Sequence, residues 1–446
     1  MSAPNHAKLF VGFVMILFVV GLGLNGDVLS NENAAGAATE QLRNYADPYD
    51  SNYQKLPVAV EPDRNLDKTI DGIPYALEPQ MPESTFNART KEPSQQKDGE
   101  CIQLTQDNLY SHVQSYGNEP SYRQIYPYDC VELIEDIELG GNGLIVADAT
   151  KLYCNDFWLL PDIELSHPFN SLPALTLQDS AQAYDCNIQL PSFELPYATF
   201  KHRELGIVLY DNTLFSSGRI EGQFNFGGLV KDSALLAHTE VEGFMSGGIQ
   251  LGGNGIILNS VAKNGCHPMK TNGWGFFSVF GDDTYIEYTN ATNITCGTGG
   301  SGFVSAFTHF TAYELYSANN AFAGLKTTSS SPLDIHDSVF EDNYYGFANE
   351  DYGATTASFT NVDFSGNGEG VHISPSSGLA NLDFEETVIC ANDLDVSFSS
   401  LGSAIGSFAA DNVQSTSPFS ATVTSCPDCY NDGVCAVEYF SIGLSG

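Results

Sequence analysis

Apolar residues recur at a nearly constant interval in the last third of the chain. Every 24 or 25 residues, three apolar side chains and one Asn return with the same spacing. The three sets are Ile335, Phe340, Asn343 and Phe347; Phe359, Phe364, Asn367 and Val371; and Phe384, Ile389, Asn392 and Val396. One interval earlier, the corresponding positions are Thr311, Tyr316, Asn319 and Ala323. A fixed period of this length is the sequence signature of a solenoid built from stacked coils.

Alternating four-residue segments predict further short strands nearer the N-terminus. In each segment apolar residues occupy every second position, as a strand with one buried face requires. The clearest examples are residues 136–139, 162–165 and 187–190, and weaker echoes are 206–209, 248–251 and 285–288. The echoes after residue 200 are unevenly spaced, which predicts loop insertions in the middle of the body.

Two kinds of solenoid combine a period near 24 residues with an Asn column. A leucine-rich repeat needs a Leu-rich consensus and a returning helix or 3₁₀ turn. The coil that begins at Ile335 is rich in Phe, Gly and Asn but poor in Leu, and few helix starts are found. The pattern therefore favours a parallel β-helix. Its turns would be satisfied by a ladder of stacked amides from Asn319, Asn343, Asn367 and Asn392.

These coils resemble the right-handed β-helix repeats of the pectate-lyase-like superfamily, over about residues 130 to 400. The resemblance rests on the coil pattern and implies three short strands per coil, with coils stacked at about 4.8 Å. The predicted fold is all-β: a right-handed parallel β-helix of roughly ten or more coils, spanning residues 99–400.

Two segments precede this body. His6 and Lys8 stand before an apolar run from Leu9 to Leu24, the pattern of a signal peptide. Residues 1–26 are interpreted as a cleaved signal peptide or a retained signal anchor, which predicts a secreted or cell-surface protein. Residues 27–98 hold recurrent Pro among acidic and amide residues, which predicts a disordered linker. The alternative is a segment that orders against a neighbouring subunit.

Ten cysteines fit an exported protein, because disulfides persist in oxidising compartments. They are Cys101, Cys130, Cys154, Cys186, Cys266, Cys296, Cys390, Cys426, Cys429 and Cys435. Their even number permits complete pairing without fixing the connectivity. The last three resemble the first half of an epidermal-growth-factor-like module, so residues 401–446 are predicted to form a disulfide-rich cap. The sequons at Asn290 and Asn293 are predicted glycosylation sites.

The chain carries 55 acidic and 17 basic residues, a formal net charge of −38, and no Lys or Arg follows Lys326. Nucleic-acid binding depends on basic residues that neutralise phosphates, so DNA and RNA are excluded as expected partners. The acidity is interpreted as an adaptation for solubility or high salt, or as a means of collecting Ca²⁺. Membrane contact is expected only through an uncleaved N-terminal anchor, and self-assembly is left open.

One tetrapeptide carries residues suited to chemistry on acidic polysaccharides. Asp334-Ile335-His336-Asp337 resembles the Asp-x-His-Asp signature of mannuronan epimerases, with Ile335 in place of the usual Pro. Uronate lyases and epimerases need a cation, a base and an acid within mutual reach, so Asp334, His336 and Asp337 are candidate catalytic residues. The competing interpretation is structural, because an inward Ile335 places its two neighbours outward beside a turn.

A calcium site is the second candidate chemistry on this face. Asp334 aligns with Asp383 two coils later, and Asp337 with Glu386, so these four carboxylates are candidate Ca²⁺ ligands. Two coils lie about 10 Å apart, so a shared ion requires Asp337 or Glu386 to turn inwards. The basic cluster at residues 201–203 is interpreted as a solvated turn, with a clamp for a sugar carboxylate as the alternative.

Two functions remain open from the sequence. The favoured one is a non-catalytic extracellular protein that acts in adhesion, in a surface coat or appendage, or in contact with glycans. The alternative is a Ca²⁺-dependent polysaccharide lyase or epimerase that uses Asp334, His336 and Asp337. A Lys or Arg opposite these residues would favour the enzyme, whereas an isolated acidic face would favour the non-catalytic protein.

Overall fold

The computed structural model describes residues 100–116, 119–162, 173–190, 205–222, 224–266, 272–281, 283–296, 299–328, 331–349, 355–374, 380–398, 402–415 and 420–427, and the backbone of 68–70 and 73–75. The expected signal segment, most of the expected linker, the basic cluster at 201–203, and Cys429 and Cys435 lie outside these residues. Within the described residues, the helix content is one short helix, α1 (Leu109–His112).

The strands, numbered along the chain, are short and mostly of three to six residues. They are β1 (Lys68–Ile70), β2 (Ile73–Tyr75), β3 (Ile102–Leu104), β4 (Val113–Tyr116), β5 (Glu119–Ile125), β6 (Cys130–Leu133), β7 (Ile137–Gly140), β8 (Gly143–Val146), β9 (Lys151–Tyr153), β10 (Trp158–Pro161), β11 (Leu175–Leu177), β12 (Gln182–Tyr184), β13 (Asn187–Gln189), β14 (Leu205–Leu209), β15 (Leu214–Ser216), β16 (Arg219–Glu221), β17 (Phe226–Val230), β18 (Leu235–Ala237), β19 (Glu240–Glu242), β20 (Gly247–Leu251), β21 (Ile256–Leu258), β22 (Val261–Lys263), β23 (Trp274–Val279), β24 (Asp283–Glu287), β25 (Asn290–Thr292), β26 (Ser301–Ala306), β27 (His309–Tyr313), β28 (Tyr316–Ala318), β29 (Ala323–Thr328), β30 (Leu333–His336), β31 (Val339–Glu341), β32 (Tyr345–Asn349), β33 (Thr355–Thr360), β34 (Asp363–Ser365), β35 (Glu369–Ile373), β36 (Ala380–Val388), β37 (Leu394–Phe398), β38 (Gly402–Ala409), β39 (Val413–Ser415) and β40 (Thr422–Thr424).

Each coil contributes one strand to each of three parallel ladders. Ladder A contains β3, β6, β9, β12, β15, β18, β21, β24, β27, β30, β33 and the first parts of β36 and β38, whose last residues continue ladder B to β40. Ladder B contains β7, β10, β13, β16, β19, β22, β25, β28, β31 and β34, and ladder C contains β5, β8, β11, β14, β17, β20, β23, β26, β29, β32, β35, β37 and β39. The predicted parallel β-helix is confirmed. Antiparallel pairing is confined, among the described strands, to β1 with β2 and β4 with β5.

The core is built from the columns that the sequence period predicts. Ile335, Phe359 and Phe384 are aligned in ladder A, and Phe347, Val371 and Val396 are aligned in ladder C. All six side chains are buried, with at most 1% exposed. Their neighbours stack along the axis: the Phe340 and Phe364 rings lie 5.2 Å apart at 16°. Repetition of one side chain in successive coils therefore produces a continuous apolar core.

The prediction fails one interval earlier, where the coil is shorter. Ile335 pairs with Ala312, Phe340 with Ser317 and Phe347 with Leu325, in place of Thr311, Tyr316 and Ala323. Because side chains alternate between the two faces of a strand, an error of one residue assigns an outward position to the core. The first strand repeat is also misaligned, since Ile137 pairs with Leu159 in β10 and not with a residue of 162–165.

The Asn ladder is real, but its first member is Asn320 and not Asn319. Asn343 Nδ2 donates to Asn367 Oδ1 at 3.2 Å, and Asn320 Nδ2 donates to Asn343 Oδ1 at 2.9 Å. Asn319 is exposed and takes a left-handed turn conformation, with φ of 57°. The ladder continues through Asn392 and ends on the buried Asp395, whose carboxylate accepts the Asn392 amide and two backbone N–H groups.

A glycine column starts the middle strands of ladder C, and the sequence analysis did not single it out. Its members are Gly206, Gly227, Gly248, Gly275, Gly302, Gly324, Gly346 and Gly370. A Cβ at Gly248 would lie 2.2 Å from the Gly275 carbonyl oxygen, and one at Gly206 would lie 2.4 Å from that of Gly227. The backbone of the next coil in ladder C approaches so closely at this column that no side chain fits.

Disulfides join neighbouring coils. The pairs are Cys101–Cys130, Cys154–Cys186, Cys266–Cys296 and Cys390–Cys426, so all cysteines of the described residues are paired. Such bonds place the body in an oxidising compartment. The parallel pairing runs on past residue 400, through β38 and β40 to Thr424, so the expected boundary of the cap falls inside ladder A. No helix of the described residues is long and apolar enough to cross a membrane.

Candidate functional site

The predicted tetrapeptide lies on β30, in the outward face of ladder A. Inward Ile335 places Asp334 and His336 outward, in two parallel columns. The first column reads Tyr285, Thr311, Asp334, Ser358 and Asp383, and the second reads Glu287, Tyr313, His336, Thr360 and Glu385. The alignment of Asp334 with Asp383, expected from the sequence period, is present.

An aromatic stack runs across three coils of this face. The His336 and Tyr313 rings are almost parallel, with centroids 4.6 Å apart and an angle of 8° between planes. Tyr285 continues the series, 5.8 Å from Tyr313 and tilted by 38°. The Tyr285 hydroxyl donates to Glu287 Oε2 at 3.0 Å. Burial, followed by this hydrogen bond, raises the pKa of Tyr285 to about 12, so the phenol stays protonated at neutral pH.

His336 also contacts the carboxylate of its own strand. Its Nε2 lies 3.1 Å from Asp334 Oδ1, and the two side chains are 22% and 40% exposed. The approach does not have the angles of a hydrogen bond, since the buried Nε2 atom has no hydrogen-bond partner. The pair therefore combines a base and an acid at one accessible point of the face.

Asp337 is separated from this pair by the turn that follows β30. Its backbone is left-handed, with φ of 48°, as are those of Asn361 and Glu386 in the next two coils. Asn361 Nδ2 donates to Asp337 Oδ1 at 2.6 Å. Asp337 thus stacks along the turn, and a structural role accounts for its conformation and its hydrogen bond.

The four carboxylates proposed as calcium ligands are not brought together. Ser358 lies between Asp334 and Asp383, which separates their backbones by about 10 Å. Within the described parts of the chain, no group of three or more His, Cys, Asp or Glu is placed to hold a metal ion. The donor set of Asp334, Asp337, Asp383 and Glu386 therefore does not fit Ca²⁺, which takes six to eight oxygen ligands.

Among the described residues of ladder A, no Lys or Arg accompanies the tetrapeptide on its outward face, from Ile256 to Glu385. Two basic residues of the middle coils lie instead on ladder B, where Arg219 and Lys263 both contact Glu240 Oε1 at 3.1 Å. The face around His336 is therefore acidic and aromatic.

The face extends well beyond the tetrapeptide as a stripe of apolar and aromatic side chains. We call it the ladder A stripe: Tyr153, Tyr184, Leu214, Leu235, Ile256, Leu258, Tyr285, Tyr313 and His336. All nine are partly exposed. At its N-terminal end Tyr153 and Tyr184 stack with centroids 5.3 Å apart and an angle of 14°. A stripe of this kind is an accessible apolar surface and not part of the core.

The sequence period did not predict the tyrosines of this stripe. Tyr313 follows the period only when the shorter coil is known, and Tyr285 was noticed only as part of an alternating strand. It also missed His309, whose Nδ1 lies 2.8 Å from Asp283 Oδ1 on the coil before. A search for polar or aromatic residues flanking inward positions at each coil would have found all three.

The predicted glycosylation sites lie at the two ends of strand β25 in ladder B. Asn293 is exposed in a left-handed turn, with φ of 57°, and its Nδ2 donates to Asn264 Oδ1 at 3.3 Å. Asn290 is partly exposed in β25. Glycosylation stays a prediction at both positions.

Three solved structures resemble this chain at low sequence identity. No protein-family model and no curated protein sequence matches the chain. A crystal structure of the periplasmic alginate epimerase AlgG matches with a TM-score of 0.48 and 10% identity, over 72% of this chain and 83% of that one. The mannuronan C-5 epimerase AlgE4 A-module of Azotobacter vinelandii gives 0.44 and 13%, over 64% and 91%. Pectate lyase Pel9A gives 0.33 and 12%, over 66% and 68%.

Proposed function

We propose that the outward face of ladder A binds an extracellular polysaccharide that lies along the axis of the β-helix. The observation that carries this proposal is the ladder A stripe, which places at least one partly exposed apolar or aromatic side chain on every coil from β9 to β27 and ends on His336 of β30. The stripe changes column after Tyr184 and after Tyr285. Soluble proteins rarely leave a long apolar strip open to water unless it contacts a partner. The partner chemistry follows from the shape and charge of the strip.

The stripe is long and narrow. It crosses the strands from β9 to β30 and so extends about 34 Å at the usual spacing between strands. A compact small molecule would contact only part of it, whereas an extended polymer can follow it from Tyr153 to His336. Sugar rings present apolar C–H faces to aromatic rings and keep their hydroxyls free for polar neighbours.

Polar acceptors flank the aromatic rings. Glu287 and Asp334 occupy outward positions beside Tyr285, Tyr313 and His336, and Glu385 follows His336 two coils later; all three offer carboxylate oxygens to sugar hydroxyls. The same carboxylates, together with a net charge of −38, repel an anionic polymer. We therefore expect neutral polysaccharides to bind more tightly than alginate or pectate at low salt. Of the non-catalytic roles predicted from the sequence, glycan contact is the one that this surface supports.

A binding assay tests the proposal. Full-length protein is titrated with neutral oligosaccharides, such as those of cellulose, xylan and mannan, and with oligoalginate and oligogalacturonate. Binding that is weakened by Tyr313→Ala and by Tyr184→Ala, two residues on distant coils, is the expected result. Exposed Tyr344 lies on ladder C's side of the coil, and Tyr344→Ala is the matched control. Absence of binding to every glycan, or binding unchanged in both stripe variants, would contradict the proposal.

The second candidate function is catalysis, and one specific observation favours it. His336 lies between Asp334 Oδ1 and the Tyr313 ring, so a base and a phenol donor meet at one point. In such a reaction His336 would remove the C5 proton of a uronate, and Tyr313, on the same side of the sugar, would protonate the leaving oxygen. The sugar carboxylate would need a cation from solution, since the described face supplies no Lys or Arg.

Catalysis has its own assay. A lyase would release unsaturated uronides from alginate or pectate, and an epimerase in D₂O would introduce deuterium at C5. Loss of either product in His336→Ala, with binding retained, would establish the enzyme. Binding without turnover, in the presence and absence of added Ca²⁺, would leave the binding function alone.

A further inference from the structure

A second apolar surface covers the outward face of ladder C. We call it the ladder C patch: Leu205, Val208, Tyr210, Phe226, Leu229, Trp274, Phe277, Val279, Phe280, Val304 and Ala306. It forms a cluster of its own, distinct from the core inside the coils. The register explains the separation. Ile207, Ile249 and Phe276 belong to one inward column, and Val208, Leu229 and Phe277 each follow a residue of that column, so their side chains point outward.

These outward side chains are shielded from solvent. All eleven are at most 9% exposed, and Trp274 is fully buried. The Trp274 indole lies over Gly247, where a Cβ would be 2.4 Å from the ring, and stacks on Phe226 two coils away at 5.5 Å. The outer face of a solenoid normally faces water, so burial to this degree requires another segment to lie over it.

The hairpin formed by β1 and β2 lies at this position. Lys68 pairs with Tyr75 and Ile70 with Ile73, in an antiparallel register. The backbone of β2 lies against β20, with Cα atoms within 8 Å of each other. Strand β20 lies in the middle of the patch. Its Gly247 pairs with Trp274 of β23 and has no side chain to displace the indole ring. Ile70, Ile73 and Tyr75 make the hairpin apolar in composition.

We infer that residues 68–75 are a docking hairpin, which folds back from the N-terminal segment and covers the ladder C patch of its own chain. Residues 76–99 join the hairpin to the body, and a chain of that length reaches up to about 80 Å, more than the fold-back needs. The flanking stretches can serve as a linker on both sides of the docked hairpin. Docking removes a surface that would otherwise drive association between copies.

Tryptophan fluorescence tests the inference directly. The chain has two Trp residues, so Trp158→Phe leaves Trp274 as the single reporter inside the patch. In this background, residues 68–75 are replaced by a Gly/Ser segment of equal length. We expect a red shift of the emission maximum and a several-fold increase in acrylamide quenching. The matched control replaces residues 85–92 in the same way and should leave both quantities unchanged.

Three outcomes would overturn the inference. If Trp274 is as well shielded in the replaced chain as in the unmodified chain, another segment covers the patch. Shielding of the unmodified chain that is lost on dilution would assign the covering role to a second copy. If Trp274 is already exposed to solvent in the unmodified chain, and equally so in the replaced chain, nothing covers the patch.

A second measurement keeps the test valid if the replaced chain does not fold. Leu229→Ser alters the patch on the body side and leaves residues 68–75 intact. Hydrogen exchange at the amides of 68–75 should be slow in the unmodified chain and at least tenfold faster in Leu229→Ser. Fast exchange in both proteins would contradict docking.

Discussion

The imidazole of His336 lies parallel to the phenol ring of Tyr313 on the preceding coil, with centroids 4.6 Å apart and planes 8° apart. The two residues occupy the same outward column of ladder A, 23 positions apart in sequence. Their stacking joins the tetrapeptide that the sequence singled out to a stripe of aromatic residues that it did not. The proposed binding face therefore extends from β9 to β30 and is not confined to one strand.

Loss of one ring from the stripe should weaken glycan binding moderately. Aromatic stacking contributes about 0.5–1.5 kcal/mol beyond burial, so Tyr313→Ala should lower affinity by about 2- to 10-fold. Tyr313→Phe keeps the ring and should retain most of the affinity. Isothermal titration with the best-bound oligosaccharide measures both. An equal loss in the two variants would point to the hydroxyl and not to stacking.

Substitution within the Asn ladder should be costly. Asn343 is 4% exposed and its Nδ2 donates to Ser317 O at 3.0 Å and to Asn367 Oδ1. Asn343→Asp removes both donors and buries a carboxylate among acceptors, at a cost of about 3 kcal/mol. Asn319→Asp makes the same chemical change on an exposed turn and should cost less than about 0.5 kcal/mol. Thermal and urea unfolding of the two variants check the difference.

The glycine column makes a similar paired prediction. Gly248→Ala places a Cβ 2.2 Å from the Gly275 carbonyl, so the coils must separate, at a cost of about 1–3 kcal/mol or more. Gly252→Ala places its Cβ 3.5 Å from Lys231 Cγ, an ordinary contact, and should be neutral or slightly stabilising. Unfolding midpoints measured side by side decide the question. Equal midpoints for both variants would show that the glycine column can adapt.

A column of aspartates at one turn should make stability depend on pH. Burial, and then the charges of Asp148 and Asp211, raise the pKa of Asp179 above 3.8 in the folded chain. The folded state therefore binds this proton more tightly than the unfolded state does. The ionised Asp179 carboxylate therefore destabilises the folded chain. This loss of stability is complete above the raised pKa and disappears as the pH falls towards 3.8.

Asp179→Asn consequently should raise the melting temperature at pH 7 and lose this advantage in acid. Differential scanning calorimetry from pH 7 down to pH 3 measures the trend. The exposed Asp107→Asn is the control and should shift the melting temperature little at any pH. A gain from Asp179→Asn that persisted unchanged at the lowest pH would show that charge repulsion is not its origin.

Part of the predicted site survives as expected and part does not. Asp334 and His336 face outward together because they flank Ile335, and strand alternation alone ensures this. Asp337 was grouped with them from its place in the sequence, but a left-handed turn directs it along the stack towards Asn361. Calcium binding by the four carboxylates stays a prediction, since column alignment determines which residues line up but leaves Ser358 between Asp334 and Asp383.

The repeat segments show the same limit. Residues 136–139 and 187–190 belong to ladder B, 206–209 to ladder C and 285–288 to ladder A, although their alternation is alike. Strands of all three ladders show the same alternation of apolar and polar residues, because each ladder has one side in the core. Only pairing between coils assigns a strand to its face, and a coil shortened by one residue moved the predicted ladder from Asn320 to Asn319.

The sequence by itself determined that this chain is a parallel β-helix with an Asn ladder and disulfides, because each coil repeats the same apolar and amide positions. The tertiary structure decided what the outside of the solenoid offers: an open aromatic stripe on ladder A and a covered apolar patch on ladder C. Outward residues are not held to the repeat by packing. Their arrangement depends on the register between coils and on segments that lie over them. The sequence period determines neither of these.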